Sequence, residues 1–323
     1  MKHIFKSATI AAALFLAAAP MAQAERLAIG STASSSSHYA YYVAASQAIN
    51  KGAEGIATNV VETGATLDNL RRLERGQVDL GLVTTNVAYD AYHGEGAFDG
   101  RPYDGLVLWV YGVSIQNVVV RKDAGVDSLS GLEGKPFNPG IVGSGTEATA
   151  EKVFATLGIK PDWTRGSTGD IVDQIKDNRV TGYVKSSAGR KLDASSVDIS
   201  TLTPVKVLSL TDEQSKLVAE KLPSLSIVDV KENEAAQGMP AYQTWAYATT
   251  TMARPDLDEE TAYRITKAIV EDNELQAAAF AGLKGSDIPV MTMELATTPL
   301  HPGAIRYYEE IGVQIPDRLR PAQ

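Results

Sequence analysis

Three short stretches carry most of the side chains able to do chemistry. Ser31-Thr32-Ala33-Ser34-Ser35-Ser36-Ser37-His38-Tyr39 holds six aliphatic hydroxyls and an imidazole in nine residues. Glu62-Thr63-Gly64-Ala65-Thr66 adds two hydroxyls, and Gly143-Ser144-Gly145-Thr146 adds two more. Hydroxyls and backbone N–H groups in small-residue turns donate hydrogen bonds to oxygen anions. They do so best at the start of a helix, where unpaired N–H groups and the positive dipole end point outward. The same residue types also make plain N-caps, and a serine run also makes a flexible linker. Position joins the three turns into one expectation, because each follows a predicted strand and precedes a predicted helix.

Catalysis has little to work with. The chain has no cysteine, which excludes thiolate zinc sites, cysteine nucleophiles and disulfides. Of its four histidines, His3 falls in a leader, and His38, His93 and His301 stand far apart with no metal-ligand spacing. No Gly-x-Ser-x-Gly or Ser-x-x-Lys sits at a strand-to-helix turn. Glu259-Glu260 and Glu309-Glu310 suit solvated helix faces better than an acid–base couple. We expect a binding protein, not an enzyme, with no metal and no cofactor. Thirty Lys and Arg against 39 Asp and Glu give a net charge of −9, the wrong sign for neutralising nucleic-acid phosphates.

The elements that must hold these turns alternate two periods. Leu27 to Gly30, Thr58 to Val61 and Val78 to Thr84 read as strands, separated by a helix ending at Ser46 to Asn50 and another marked by Leu67, Leu70 and Leu73. A second series follows the long apolar segment Leu106 to Val120. Its strand is expected over Lys135 to Val142, and its helices are marked by Ala150, Val153, Phe154, Leu157 and by Ile171, Val172, Ile175. This is an α/β pattern with mainly parallel sheets flanked by helices. At 323 residues, 44% of them hydrophobic, the chain suggests two lobes with a cleft between them. Residues 191 to 240 are polar and match no pattern.

Lys2 and Lys6, the apolar run at residues 8 to 19, and Ala22-Gln23-Ala24 read as a cleavable signal peptide of residues 1–24. The expected location is therefore the periplasm, with the mature protein a monomer.

The ordered set of segments Gly30 to Tyr39, Thr63 to Leu70, Asp79 to Gly94, Asp127 to Lys135, Gly143 to Thr146 and Leu300 to Tyr308 resembles the TAXI-type solute receptors of TRAP transporters. The resemblance covers nearly the whole mature chain. It implies a type II periplasmic binding fold: residues 25–117 and 245–323 in lobe 1, residues 118–244 in lobe 2, and hinge strands near 115 to 120 and 241 to 248. It also implies capture of a small organic anion, such as glutamate, 2-oxoglutarate or a similar carboxylate, for TRAP-type membrane permease subunits. Carried over by position, the ligand shell would be Ser31, Thr32, Ser35, Ser36, Tyr39, Thr66, Thr84, Ser144 and Thr146.

One departure from the pattern adds a candidate. The turn after Arg179-Val180-Thr181-Gly182-Tyr183-Val184 reads Ala188-Gly189-Arg190, where relatives carry Gly-x-Pro. An arginine there clamps a carboxylate or sulfonate through two parallel N–H bonds, or else is a solvated surface residue. A clamping Arg190 would favour a second reading, a sulfonate or other anion receptor serving an ABC importer or sensor. A secreted hydrolase using the serine loop is the third.

Overall fold

The computed structural model describes residues 24–272 and 274–322. The expected signal segment lies outside them except for Ala24. Strand and helix alternate from the start: β1 (Glu25–Gly30), α1 (Ser37–Gly52), β2 (Ile56–Val61), α2 (Thr66–Glu74), β3 (Leu80–Thr84) and α3 (Thr85–His93). The apolar segment becomes β4 (Leu106–Arg121), buried along both faces except at Leu106 and Val113. The second series is β5 (Pro136–Phe137), α4 (Gly145–Thr156), β6 (Asp162–Trp163), α5 (Thr168–Lys176) and β7 (Gly182–Ala188). It continues through α6 (Ala194–Leu202), β8 (Val205–Leu208), α7 (Asp212–Lys221) and β9 (Ser226–Val230). β10 (Tyr242–Ala253) then leads into α8 (Glu259–Glu271), α9 (Leu275–Ala279), α10 (Ile288–Leu295) and α11 (Pro302–Glu310).

The main sheet runs β2-β1-β3-β10-β4-β7, with β8 on β4 and β9 on β10. Strands β1, β2 and β3 pair in parallel, as do β5 and β6. Every antiparallel pair contains β4 or β10. The two long strands also divide the apolar core. Residues of β4 up to Tyr111 and of β10 from Ala248 onward join a core that runs from Leu27 to Leu319. Residues from Ile115 to Tyr247 form three smaller cores. The molecule thus has two halves, joined where Ser114 pairs with Tyr247 and Gly112 with Thr249.

The expected strand over Lys135 to Val142 is cut to two residues, extended only by a bridge from Asn138 to Tyr183. Pro139 has no N–H to donate to a ladder, and Gly140 takes φ +133°, which turns the chain out of the sheet. The freed residues become the loop that opens α4. Among the described residues, no helix is long and apolar enough to cross a membrane.

Candidate functional site

The first serine loop leaves β1 and is anchored before it turns. Ser31 N–H donates to the Val61 carbonyl at 3.0 Å. The Ser31 carbonyl accepts from Thr63 Oγ1 (2.8 Å) and from Asn69 Nδ2 (2.9 Å), whose other hydrogen bond goes to the Leu82 carbonyl. The buried Asn69 side chain therefore fixes the ends of β1 and β3 and the Thr63 turn relative to one another. Ser36 caps α1 by accepting from His38 N–H, and Ser144 caps α4 by accepting from Glu147 N–H. The N-cap reading thus holds for these two serines. Thr66 begins α2 and Thr84 precedes α3, and neither hydroxyl makes a cap bond.

A cavity lies between the halves. Thr32, Ser36, His38, Thr66, Thr84 and Thr249 line it from the first half together with Ser114 at the junction. Gly140, Ile141, Ser144, Thr146, Lys185 and Ser186 face them, beside Tyr247. Its volume is about 40 Å³, room for a few waters or a compact solute. The halves touch around it: Leu67 N–H donates to the Gly143 carbonyl at 2.7 Å, Asn86 Nδ2 to Thr149 Oγ1 at 2.8 Å, and Ser37 Oγ to Asp193 Oδ2 at 2.9 Å. Lys152 pairs with Asp90 across the same gap.

Six residues expected from the sequence meet in this lining: Thr32, Ser36, Thr66, Thr84, Ser144 and Thr146. The hydroxyls of Thr66, Thr84 and Ser31 are buried and make no hydrogen bond among the described residues. Ser31 sits in the same loop behind the lining. Ser35 is exposed and faces a separate hollow beside Thr168 and Ser195. Tyr39 is half-buried on α1 outside the lining, because His38, Tyr41 and Tyr42 take the inward face. Tyr41 stacks on Tyr111 with ring centroids 3.8 Å apart and accepts from Trp109 Nε1, which fixes the rotation of α1.

Arg190 must be corrected. Its guanidinium donates to the Asp229 carbonyl and lies 3.5 Å from Glu234, exposed and away from the cavity. Held by these two partners, Arg190 lines no part of this cavity.

The cation that does line the cavity is Lys185 on β7, which sequence reasoning missed. The available signal was a lysine within a buried strand, two residues from Tyr183 on the same face. Its ammonium lies 3.7 Å from Asp193 Oδ1, beyond hydrogen-bond reach, and makes no hydrogen bond to the protein among the described residues. Asp193 sits behind it, fully buried at the N-cap of α6. Burial alone would raise the Asp193 carboxyl. The Lys185 charge and hydrogen bonds from Ser195 and Ser37 together hold it below the usual carboxylate range. Burial and then the Lys185 charge push His38 down to about 4 against the pull of Asp193, so its imidazole is neutral at pH 7. His38 Nδ1 is 2.9 Å from Tyr111 Oη, and Ser114 Oγ links its other nitrogen to Thr249.

An incompletely paired ammonium, hydroxyls without a partner among the described residues, and the N-termini of α1, α2, α3 and α4 converge here on one enclosed space. That arrangement suits a small anion held by charge-assisted and neutral hydrogen bonds.

Two helix-covered halves joined by paired long strands, with a polar cavity between them, make the fold of a type II periplasmic binding protein. The chain belongs to the NMT1-like family, whose model matches residues 29–312. Solved structures agree on the fold. MatC (Rpa3494) from Rhodopseudomonas palustris with bound malate has a TM-score of 0.57 at 14% identity, covering 88% of this chain and 96% of that one. A putative L-cystine ABC transporter protein from Listeria monocytogenes has a TM-score of 0.52 at 14% identity, covering 80% and 97%. An ancestral arginine-binding protein bound to arginine gives 0.50 at 16% identity, covering 79% and 96%.

Proposed function

We propose that this chain is an exported solute receptor that closes over a small organic anion and delivers it to a membrane transporter. The observation that carries this reading is Lys185: a cleft-lining ammonium 3.7 Å from Asp193 with no hydrogen-bonded partner among the described residues, in a lining shared with the hydroxyls of Thr66 and Thr84, which likewise have none there. Family membership and a fold shared with a malate-bound protein support it. The ordered segments from Gly30 to Tyr308 favour the TAXI type, with a TRAP-type permease as partner and the periplasm as location. In this reading residues 25–117 and 245–323 form lobe 1 and residues 118–244 form lobe 2, and β4 and β10 bend between them as the receptor, a monomer, opens and closes. A second reading, a receptor for a sulfonate or other anion serving an ABC importer or sensor, keeps the support of a fold shared with a putative L-cystine ABC transporter protein, although Arg190 lies off the cavity.

Calorimetric titration of the mature protein with C3 to C6 carboxylates tests the proposal. A binding carboxylate should also raise the melting temperature by mass action, with no turnover. Each charge-assisted hydrogen bond contributes roughly 1.5–3 kcal/mol, so Lys185→Gln should weaken binding by about 10- to 100-fold. Lys185→Gln binding as tightly as wild type, or no organic anion binding at all, would refute the reading.

A further inference from the structure

Resting on the anion reading above, we infer that the solute is an organic acid lacking a charged amino group, such as a 2-oxo or 2-hydroxy acid, and that the matching α-amino acid is rejected. Among the described residues the cavity wall supplies hydroxyls, an imidazole and one ammonium, but no carboxylate. Three acids next to lining residues are already engaged. Asp193 accepts from Ser37 and Ser195, lies 3.7 Å from the Lys185 ammonium and is not part of the lining. Glu147 accepts from Gly143 N–H at 2.6 Å and pairs with Arg165. Asp68 accepts from Gly64 N–H and from Arg72.

An amino acid entering this space brings one negative and one positive group. Lys185 and the hydroxyls satisfy the first. The second finds only neutral oxygens, with the Lys185 ammonium sharing the same enclosure. Burying a cation without an anionic partner is strongly unfavourable, and like charges in a low-dielectric space add to the cost. The His38 imidazole carries no negative charge in either protonation state and so cannot serve as a counter-charge. A keto or hydroxyl oxygen at the same carbon meets hydroxyl and N–H donors instead, and leaves no charge unpaired.

The test is calorimetric titration of the mature protein with matched sets: pyruvate, lactate and alanine; 2-oxoglutarate, 2-hydroxyglutarate and glutamate; 4-methyl-2-oxopentanoate, 2-hydroxy-4-methylpentanoate and leucine. The expected result is that at least one oxo or hydroxy acid binds and its amino counterpart binds about 100-fold more weakly or not at all. Ser186→Asp, which places a carboxylate in the wall, should narrow that ratio by at least about tenfold by giving the ammonium a partner. An amino acid that binds wild type within about tenfold of its deaminated partner overturns this inference and leaves the anion reading standing. No binding by any member of the sets, with none by other carboxylates, removes both.

Discussion

His38 shows how one buried side chain ties the cleft to pH. With a folded-state pKa of about 4 against 6.5 unfolded, the unfolded chain takes up a proton between those values that the folded chain refuses. Stability therefore falls as pH drops from about 6.5 to about 4, with no further loss below, and the total from this group is of order 3 kcal/mol. His38→Gln should flatten the dependence of urea midpoint on pH across that window. His301, also lowered by burial, keeps its own share in the variant. Equal slopes for the two proteins would show that His38 is not the proton-linked group. The same residue scale explains what was readable in the site. Ser36, Thr66, Ser144 and Thr146 announce themselves by lying between strand and helix periods. Arg190 looked functional by chain position, yet a neighbouring carbonyl and Glu234 absorb it. Lys185 offers one signal, a lysine within a buried strand, but that signal names no partner, because Asp193 lies in a stretch with no pattern.

At the level of elements, the alternating periods gave the first half nearly strand for strand, because amphipathic helices such as α2 bury Leu70 and Leu73 in strict spacing. Residues 191 to 240 were opaque for an equally physical reason. Helix α6 buries Ser195, Ser196 and Ile199 while leaving Val197 and Leu202 exposed, so its sequence carries no apolar stripe. The turn His301-Pro302-Gly303 sets the last helix. His301 caps α11 by accepting from Gly303 N–H, and Nε2 lies 3.0 Å from the Leu257 carbonyl. Gly303 lies so close to α8 that a Cβ would stand 2.2 Å from the Glu259 carbonyl oxygen and 2.6 Å from Tyr263 N. Gly303→Ala must push α11 off α8. We expect a loss of about 1–3 kcal/mol in urea denaturation, with ligand affinity of the folded fraction unchanged. Unchanged stability would mean that the helices slide apart freely.

At the scale of the whole molecule the question is what holds the halves together, and Gly145 gives access to it. This glycine starts α4 on one side of the cavity, and a Cβ there would sit 2.3 Å from Thr84 Oγ1 and 3.0 Å from Thr84 Cβ on the other. Neither half needs the glycine for its own backbone, since φ is not positive. The contact exists only because the halves meet, so Gly145→Ala acts as a wedge against closure and leaves each core intact. Ligand affinity includes the free energy of reaching the closed state. The variant should therefore bind at least about tenfold more weakly while its ligand-free urea stability stays within about 1 kcal/mol of wild type. Solution scattering gives the second readout: saturating ligand should compact wild type and leave Gly145→Ala as extended as the free protein. Ser37→Ala, which removes only the bond to Asp193 across the gap, should cost a few-fold in affinity and still compact. If Gly145→Ala binds and compacts like wild type, the two halves do not work by closing on each other, and the hinge assigned to β4 and β10 has no role in binding.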